Sequence, residues 1–223
     1  MSAEMLSAIE LETGPNPSAS VIWLHGLGAD GNDFVPIIAE LSLPPSLPTR
    51  FVFPHAPMRA VTINNGMRMR AWYDIVGADL TSRADLVGVQ ESRAQLEALI
   101  GRELTRGTRS DRIVLAGFSQ GGAIALYTGL RHAQRLAGIM ALSTYLIAPD
   151  RLASEASQAN RALPVFMAHG SADPVVQLRW AEASKAMLEA AGYPVEWHRY
   201  GMQHSVCLED VRAIAAWLGR VLS

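Results

Sequence analysis

The sequence holds one cysteine, Cys207, so no disulfide within the chain is expected. Neither charge is in excess: 19 basic and 21 acidic side chains give a formal net charge of −2. A nucleic-acid binder would present a basic face, and no nucleic-acid partner is predicted. The longest basic cluster, Arg68 and Arg70 in MRMRAWYD, is short, broken by methionine, and reads as solvation of a rim. Long apolar runs are missing too. No stretch approaches the roughly 18 uninterrupted apolar residues that cross a bilayer, so no membrane insertion is expected. The opening MSAEMLSAIELETG carries Glu4, Glu10 and Glu12, and it lacks the basic start and apolar core of a secretory signal. The cytoplasm is the expected compartment. Repeats, low-complexity linkers and composition breaks are also lacking, and the Pro-rich LSLPPSLPTR (41–50) comes too early to divide two domains. One domain over 1–223 is expected. No Cys, His and carboxylate group has metal-ligand spacing, so neither a metal nor another cofactor is implied.

What the chain does have is apolar content, 49% over 223 residues, enough for one large α/β core. Short apolar runs at 18–24, 50–54, 112–116, 138–143, 164–170 and 195–200 read as strands, several apolar on consecutive positions as in parallel strands buried on both faces. Helical periods lie between them. The segment 85–104 sets Val89, Leu96, Leu99 and Ile100 on one stripe. The segment 177–192 ends in a glycine suited to a helix C-terminus, and 209–222 repeats Val211, Ile214, Ala215 and Leu218. Alternating strands and helices predict an open, mostly parallel sheet with helices on both faces. Right-handed crossovers would bring the strands' C-terminal ends to one edge, where such folds bind ligands.

The stretch RIVLAGFSQGGAIAL places G-x-S-x-G, Gly117 to Gly121, between a predicted strand and a predicted helix. That context is the nucleophile elbow of an α/β-hydrolase. The serine backbone is strained there, so the residues two positions either side must lack bulk. Ser119 is therefore predicted to be a nucleophile, against the alternative of a serine N-cap in a glycine-rich turn. A serine needs a base. His204 in YGMQHSVC follows the last strand, in the loop where this topology carries its histidine. His132 is expected inside a helix and solvated, His198 within a strand, His55 at the rim, and His169 in a structural role. Asp173, just past the strand PVFMAHG, is the expected acid. Its competitor Asp150 reads as the N-cap of a following helix. Oxyanion donors are expected from the backbone N–H of Gln120 and from Leu27 in the loop His25-Gly26-Leu27-Gly28. That glycine-rich loop also admits a nucleotide-binding reading, although it lacks the Lys-Ser/Thr of a P-loop. Cys207 is read as packing.

Together HGLGADGNDF, AWYDI, GFSQGG, HGSADPVV and GMQHS resemble the small carboxylesterase and acyl-protein thioesterase family of α/β-hydrolases, from about residue 20 to the C-terminus. The resemblance implies an α/β-hydrolase fold with Ser119, Asp173 and His204 as a triad and Leu27 and Gln120 as oxyanion donors. It implies Trp72 and the segment 143–146 near the site, and a homodimer. The chain is too short for a large cap domain, so the serine is expected to be open. Leu27, Trp72, Tyr145, Leu146 and Val175 are the apolar candidates for an acyl-binding wall. The expected function is a serine carboxylesterase working through an acyl-enzyme on a small-molecule acyl ester or thioester. An acyl-protein thioesterase or lysophospholipase with the same triad is the alternative, and a non-catalytic binding protein of the same fold is a distant one.

Overall fold

Branched and aromatic residues on consecutive positions commit several segments to strands with no solvated face. The computed structural model of the chain describes residues 5–77 and 85–223, so Glu4 of the opening segment lies outside the described residues. In chain order the elements are β1 (Ala8–Glu12), β2 (Ala19–Leu24), α1 (Ile37–Leu41), β3 (Thr49–Pro54), β4 (Met58–Val61), β5 (Met67–Arg70), α2 (Leu86–Thr105), β6 (Ile113–Phe118), α3 (Gln120–Gly129), β7 (Gly138–Leu142), α4 (Leu152–Glu155), β8 (Val165–Gly170), α5 (Leu178–Ala190), β9 (Val195–Tyr200) and α6 (Leu208–Val221).

β2, β6, β7 and β8 are buried along their whole length. Their residues alternate between two cores. Ile22, Leu24, Ile113 and Leu115 face the layer that includes Leu96 and Leu99 of α2, Ile124 of α3 and Leu188 of α5. Val21, Trp23, Val114 and Phe118 face the layer closed by Leu41 of α1 and Ile214, Trp217 and Leu218 of α6. Each large side chain so buried contributes about 1.5–3 kcal/mol. The period of two thus sorts one strand's residues onto two helical layers.

The sheet has seven strands in the order β1-β3-β2-β6-β7-β8-β9. Only β1 runs antiparallel, pairing Ala8 with Pro54 and Glu12 with Arg50. This edge strand was not foreseen, because its IELE alternation is charged on the outward face. That charge suits an edge, where Glu12 meets Arg50 at 2.9 Å and Glu10 meets Arg102 at 2.9 Å. A second feature escaped the sequence reading: β4 and β5 form a separate two-stranded hairpin. Arg68 and Arg70 belong to its second strand; Arg68 is exposed, and Arg70 donates to the Ala56 carbonyl at 2.9 Å.

The parallel register aligns Leu24 with Gly117 and Phe118 with Leu142, and Gly170 with Tyr200. The chain leaves all five of these strands on one edge. His25, Ser119, Ser143, Asp173 and His204 all fall just beyond those ends.

Candidate active site

The elbow starts from two glycines. A Cβ on Gly117 would overlap the backbone of Gly121, and one on Gly121 would overlap the carbonyls of Leu24 and His25. Strand and helix therefore meet more closely than any side chain allows. Between them Ser119 sits at φ 54° and ψ −121°, a conformation that costs a non-glycine residue about 1–3 kcal/mol. Its neighbours hold it there. The Ser119 N–H donates to the Leu142 carbonyl at 2.8 Å, and its own carbonyl accepts from the Thr144 hydroxyl at 2.6 Å and from the Ala123 N–H at 3.1 Å. Ser119 caps no helix with its side chain, contrary to the N-cap alternative.

The loop after β2 lies against the elbow: a Cβ on Gly26 would sit 3.5 Å from that of Ser119. His25 clamps this loop. Its Nδ1 is 2.7 Å from the Gly26 carbonyl and its Nε2 takes the Ala56 N–H at 3.0 Å, so the ring carries its proton on Nδ1 and is neutral. Burial pushes it down to about 4. Most loop N–H groups are used internally: Gly28 donates to Arg70, Ala29 to Gly26, Gly31 to the His55 ring and Asn32 to Asp30. Among the described residues the N–H groups of Leu27 and Gln120 have no acceptor. A nucleotide phosphate would meet carboxylates at Asp30 and Asp33 in this loop instead of a nest of free amides.

Gln120 has a second role that the sequence reading missed. Its side-chain amide accepts from the Trp72 N–H at 2.8 Å and donates to the Tyr73 carbonyl at 2.7 Å, stitching the start of α3 to a segment 47 residues away. Trp72 in turn donates its indole N–H to the His25 carbonyl at 2.9 Å, and its ring is 1% exposed.

Asp173 and His204 meet on the other side. Asp173 Oδ2 lies 2.6 Å from His204 Nδ1, while Oδ1 accepts the N–H groups of Val175 and Val176 at 2.8 and 2.9 Å. With Nδ1–H committed to the carboxylate, His204 Nε2 keeps its lone pair for an incoming proton. The His204 ring packs on Phe118, the residue before Ser119, with centroids 4.6 Å apart. His169 is buried behind Asp173. Its Nε2–H donates to the Val176 carbonyl at 2.7 Å and lies 3.4 Å from Asp173 Oδ2.

The other histidines are structural. His132 follows α3 rather than lying within it, and it is buried with Nδ1 2.6 Å from Glu97, which corrects the expectation of a solvated ring. His55 accepts from Gly31, and His198 stacks on Phe166. Asp150 sits in a short 3-10 turn and caps nothing.

Ser119 opens onto an apolar cleft of about 420 Å³, within the size range of small-molecule pockets. Of the apolar candidates, Leu27, Tyr145 and Val175 line it. Trp72 and Leu146 do not, which corrects the sequence reading. Trp72 is turned behind the His25 loop by its indole bond, and Leu146 is buried where its N–H donates to Ser184 Oγ at 2.8 Å. Their places are taken by Ile63, Ile75, Val176 and Trp180. The Asn-Gly pair at 65–66 marks the hairpin turn that brings Ile63 in, and this was the available signal. Tyr145 is fixed by a 2.7 Å bond to the Tyr73 hydroxyl, and burial pushes its phenol up to about 12.

Residues 7–222 match the sequence profile of the Phospholipase/Carboxylesterase family. Acyl-protein thioesterase 1 of Neurospora crassa is 40% identical, across 90% of this chain and 86% of that protein. Acyl-protein thioesterase 1 of Mycosarcoma maydis is 39% identical, across 100% and 99%. The crystal structure of Arabidopsis thaliana SOBER1 superimposes with a TM-score of 0.86 at 30% identity, covering 92% of this chain and 99% of that one. The chain belongs to the phospholipase/carboxylesterase family of small α/β-hydrolases and is a serine hydrolase.

Proposed function

We propose that this enzyme cleaves acyl thioesters, and oxoesters of the same acyl groups, with Ser119 as nucleophile, His204 as general base and acid, and Asp173 as the group that orients His204. In this reading His204 Nε2 takes the hydroxyl proton as Ser119 Oγ attacks the acyl carbonyl. The oxyanion rests on the N–H groups of Leu27 and Gln120. Collapse breaks the bond to sulfur or oxygen, His204 protonates the leaving group, and water activated by the same ring frees the acid.

The observation that carries this reading is the strained Ser119, which shares one sheet edge with two N–H groups without acceptors among the described residues and with the paired Asp173 and His204. The apolar cleft beside Ser119 favours an acyl chain over a polar substrate. The sequence reading put carboxylesterase first and acyl-protein thioesterase second. Relatives at 39 and 40% identity that carry the thioesterase name support the second over the first.

Fluorophosphonate labelling and hydrolysis of matched octanoyl thioesters and oxoesters test the proposal. Ser119→Ala should abolish labelling and lower kcat on both by about 10⁴-fold or more. Unchanged turnover in that variant would discard the mechanism. A thioester rate no higher than that of the matched oxoester would restore the carboxylesterase order.

A further inference from the structure

Two cavities flank the site, and they share no lining residue. Ser119 and Leu27 line the acyl cleft. His204 and Phe118 line a separate open groove of about 610 Å³, between the start of α1 and the start of α6. Phe118 and Ser119 are adjacent in the chain yet line different cavities, so the two cavities lie to either side of the elbow.

Chemistry assigns the groove a side. When the tetrahedral intermediate collapses, the C–S bond breaks and its electron pair leaves with sulfur. The proton that sulfur receives comes from His204 Nε2. The leaving group therefore departs on the His204 side, while the acyl chain stays bonded to Ser119 in its own cleft.

The groove's composition then selects what leaves. Its wall is apolar, through Phe34, Ile37, Val206 and Leu208, the last 49% exposed. Among the described residues its charged lining consists of Asp33 and Glu40, with no Lys or Arg. Among the described residues neither carboxylate has an ion-pair partner. Partial burial and the neighbouring Asp30 push the Asp33 carboxyl up, as expected for a carboxylate without a counter-charge. Asp30 lines a shallow depression that also includes Asp33, which extends the negative surface.

We propose that this groove binds the leaving-group side of the substrate, and that it selects a peptide carrying Lys or Arg close to the acylated cysteine. The inference rests on the catalytic assignment above. A choline-headed lysolipid offers a cation too, but its phosphate lies nearer the scissile bond than its ammonium and would face Asp33 and Glu40. An extended peptide supplies apolar and cationic side chains together, which matches the wall and the carboxylates.

The test uses three S-octanoyl cysteine peptides that differ only in flanking Gly, Lys or Glu residues, with kcat/KM measured on the whole protein. At low salt the Lys peptide should exceed the Gly peptide about fivefold, and the Glu peptide should fall below both. Because the groove is open to solvent, the ratio should shrink toward one at about 0.5 M NaCl. Asp33→Asn/Glu40→Gln should erase the Lys-to-Gly ratio, which is read within one preparation and so is insensitive to specific activity. If that variant does not fold, the salt titration of the unaltered protein decides. Equal rates on Lys and Gly peptides at low salt, a preference that survives high salt, or a preference kept by the double variant would each overturn the proposal. So would a choline lysolipid cleaved faster than the Lys peptide in an Asp33-dependent way. Failure of the catalytic assignment looks different: none of the three peptides is cleaved, or Ser119→Ala cleaves them undiminished.

Discussion

His25 and Asp210 are both buried and ionisable, and both lie within a few residues of the site, yet their surroundings differ in kind. His25 is 1% exposed and both ring nitrogens are bonded, to Gly26 and Ala56, while Trp72 and Gln120 complete the same network. Asp210, in the first turn of α6, is 0% exposed, and neither carboxylate oxygen has a partner among the described residues. The first arrangement fixes one tautomer and one loop geometry, since a fully paired network tolerates no alternative without loss. The second holds an unpaired polar group that burial alone pushes up to about 7. The elbow side is specified by its polar groups; the α6 side is specified by its apolar packing despite one.

The largest effect should come from removing the paired group. His25→Ala strands the Ala56 N–H, at roughly 1–3 kcal/mol, takes one of two donors from the Gly26 carbonyl and leaves a cavity; chemical denaturation should read a loss of about 3–5 kcal/mol. With the Leu27 N–H no longer aimed, kcat should fall about 10²-fold. A variant as stable and active as the parent would remove His25 from the oxyanion framework.

Removing the unpaired group should act in the opposite direction. Asp210→Asn keeps the shape and abolishes ionisation, so at pH 8 it should gain about 2–4 kcal/mol. The two groups also oppose each other in pH. Between about 4 and 6.5 the unfolded chain holds a His25 proton that the folded one refuses, so His25 makes stability rise with pH. Between 3.8 and about 7 the folded chain keeps an Asp210 proton that the unfolded one releases, so Asp210 makes stability fall with pH. The two slopes largely cancel in the parent. In Asp210→Asn the His25 slope, up to about 1.4 kcal/mol per pH unit, is no longer opposed by Asp210 and is joined by one of the same sign from His169, which burial also pushes down, so stability is lost as pH drops from 6.5 toward 4. A flat profile for that variant across the same window would contradict the assignment to His25.

The smallest effect belongs to Trp72→Phe, which removes one donor to the His25 carbonyl and some packing, about 1–2 kcal/mol. Because the ring does not line the cleft beside Ser119, the profile of rate against acyl chain length should not move, whereas Trp180→Ala should shift it. A shifted profile in Trp72→Phe would return that residue to the acyl wall.

The strands buried on both faces, the stripe of α2 and the glycine after α5 were legible because each is a local pattern of fixed period. The same holds for the elbow: Gly117 and Gly121 are demanded by a close approach within five residues of chain. The edge strand β1 and the hairpin β4–β5 were not legible, because an alternating charged or methionine-rich segment becomes a strand only when a partner edge is present. His132 was misplaced for a related reason, since its burial depends on Glu97 on another helix.

From sequence alone come the elbow, the loop after the last strand that carries His204, the position of Asp173 after β8, and the alternation that brings all three to one sheet edge. These follow from sterics and periodicity, which act over a few residues and so are written in neighbouring letters. Tertiary structure decided which way each side chain turns. It sent Trp72 and Leu146 behind the site and Ile63 and Trp180 into the cleft, gave Gln120 two backbone partners, made His25 neutral, and set two carboxylates, without ion-pair partners among the described residues, in the lining of the groove that His204 also lines. Those outcomes depend on hydrogen-bond partners and neighbours tens of residues away, and no local pattern encodes them.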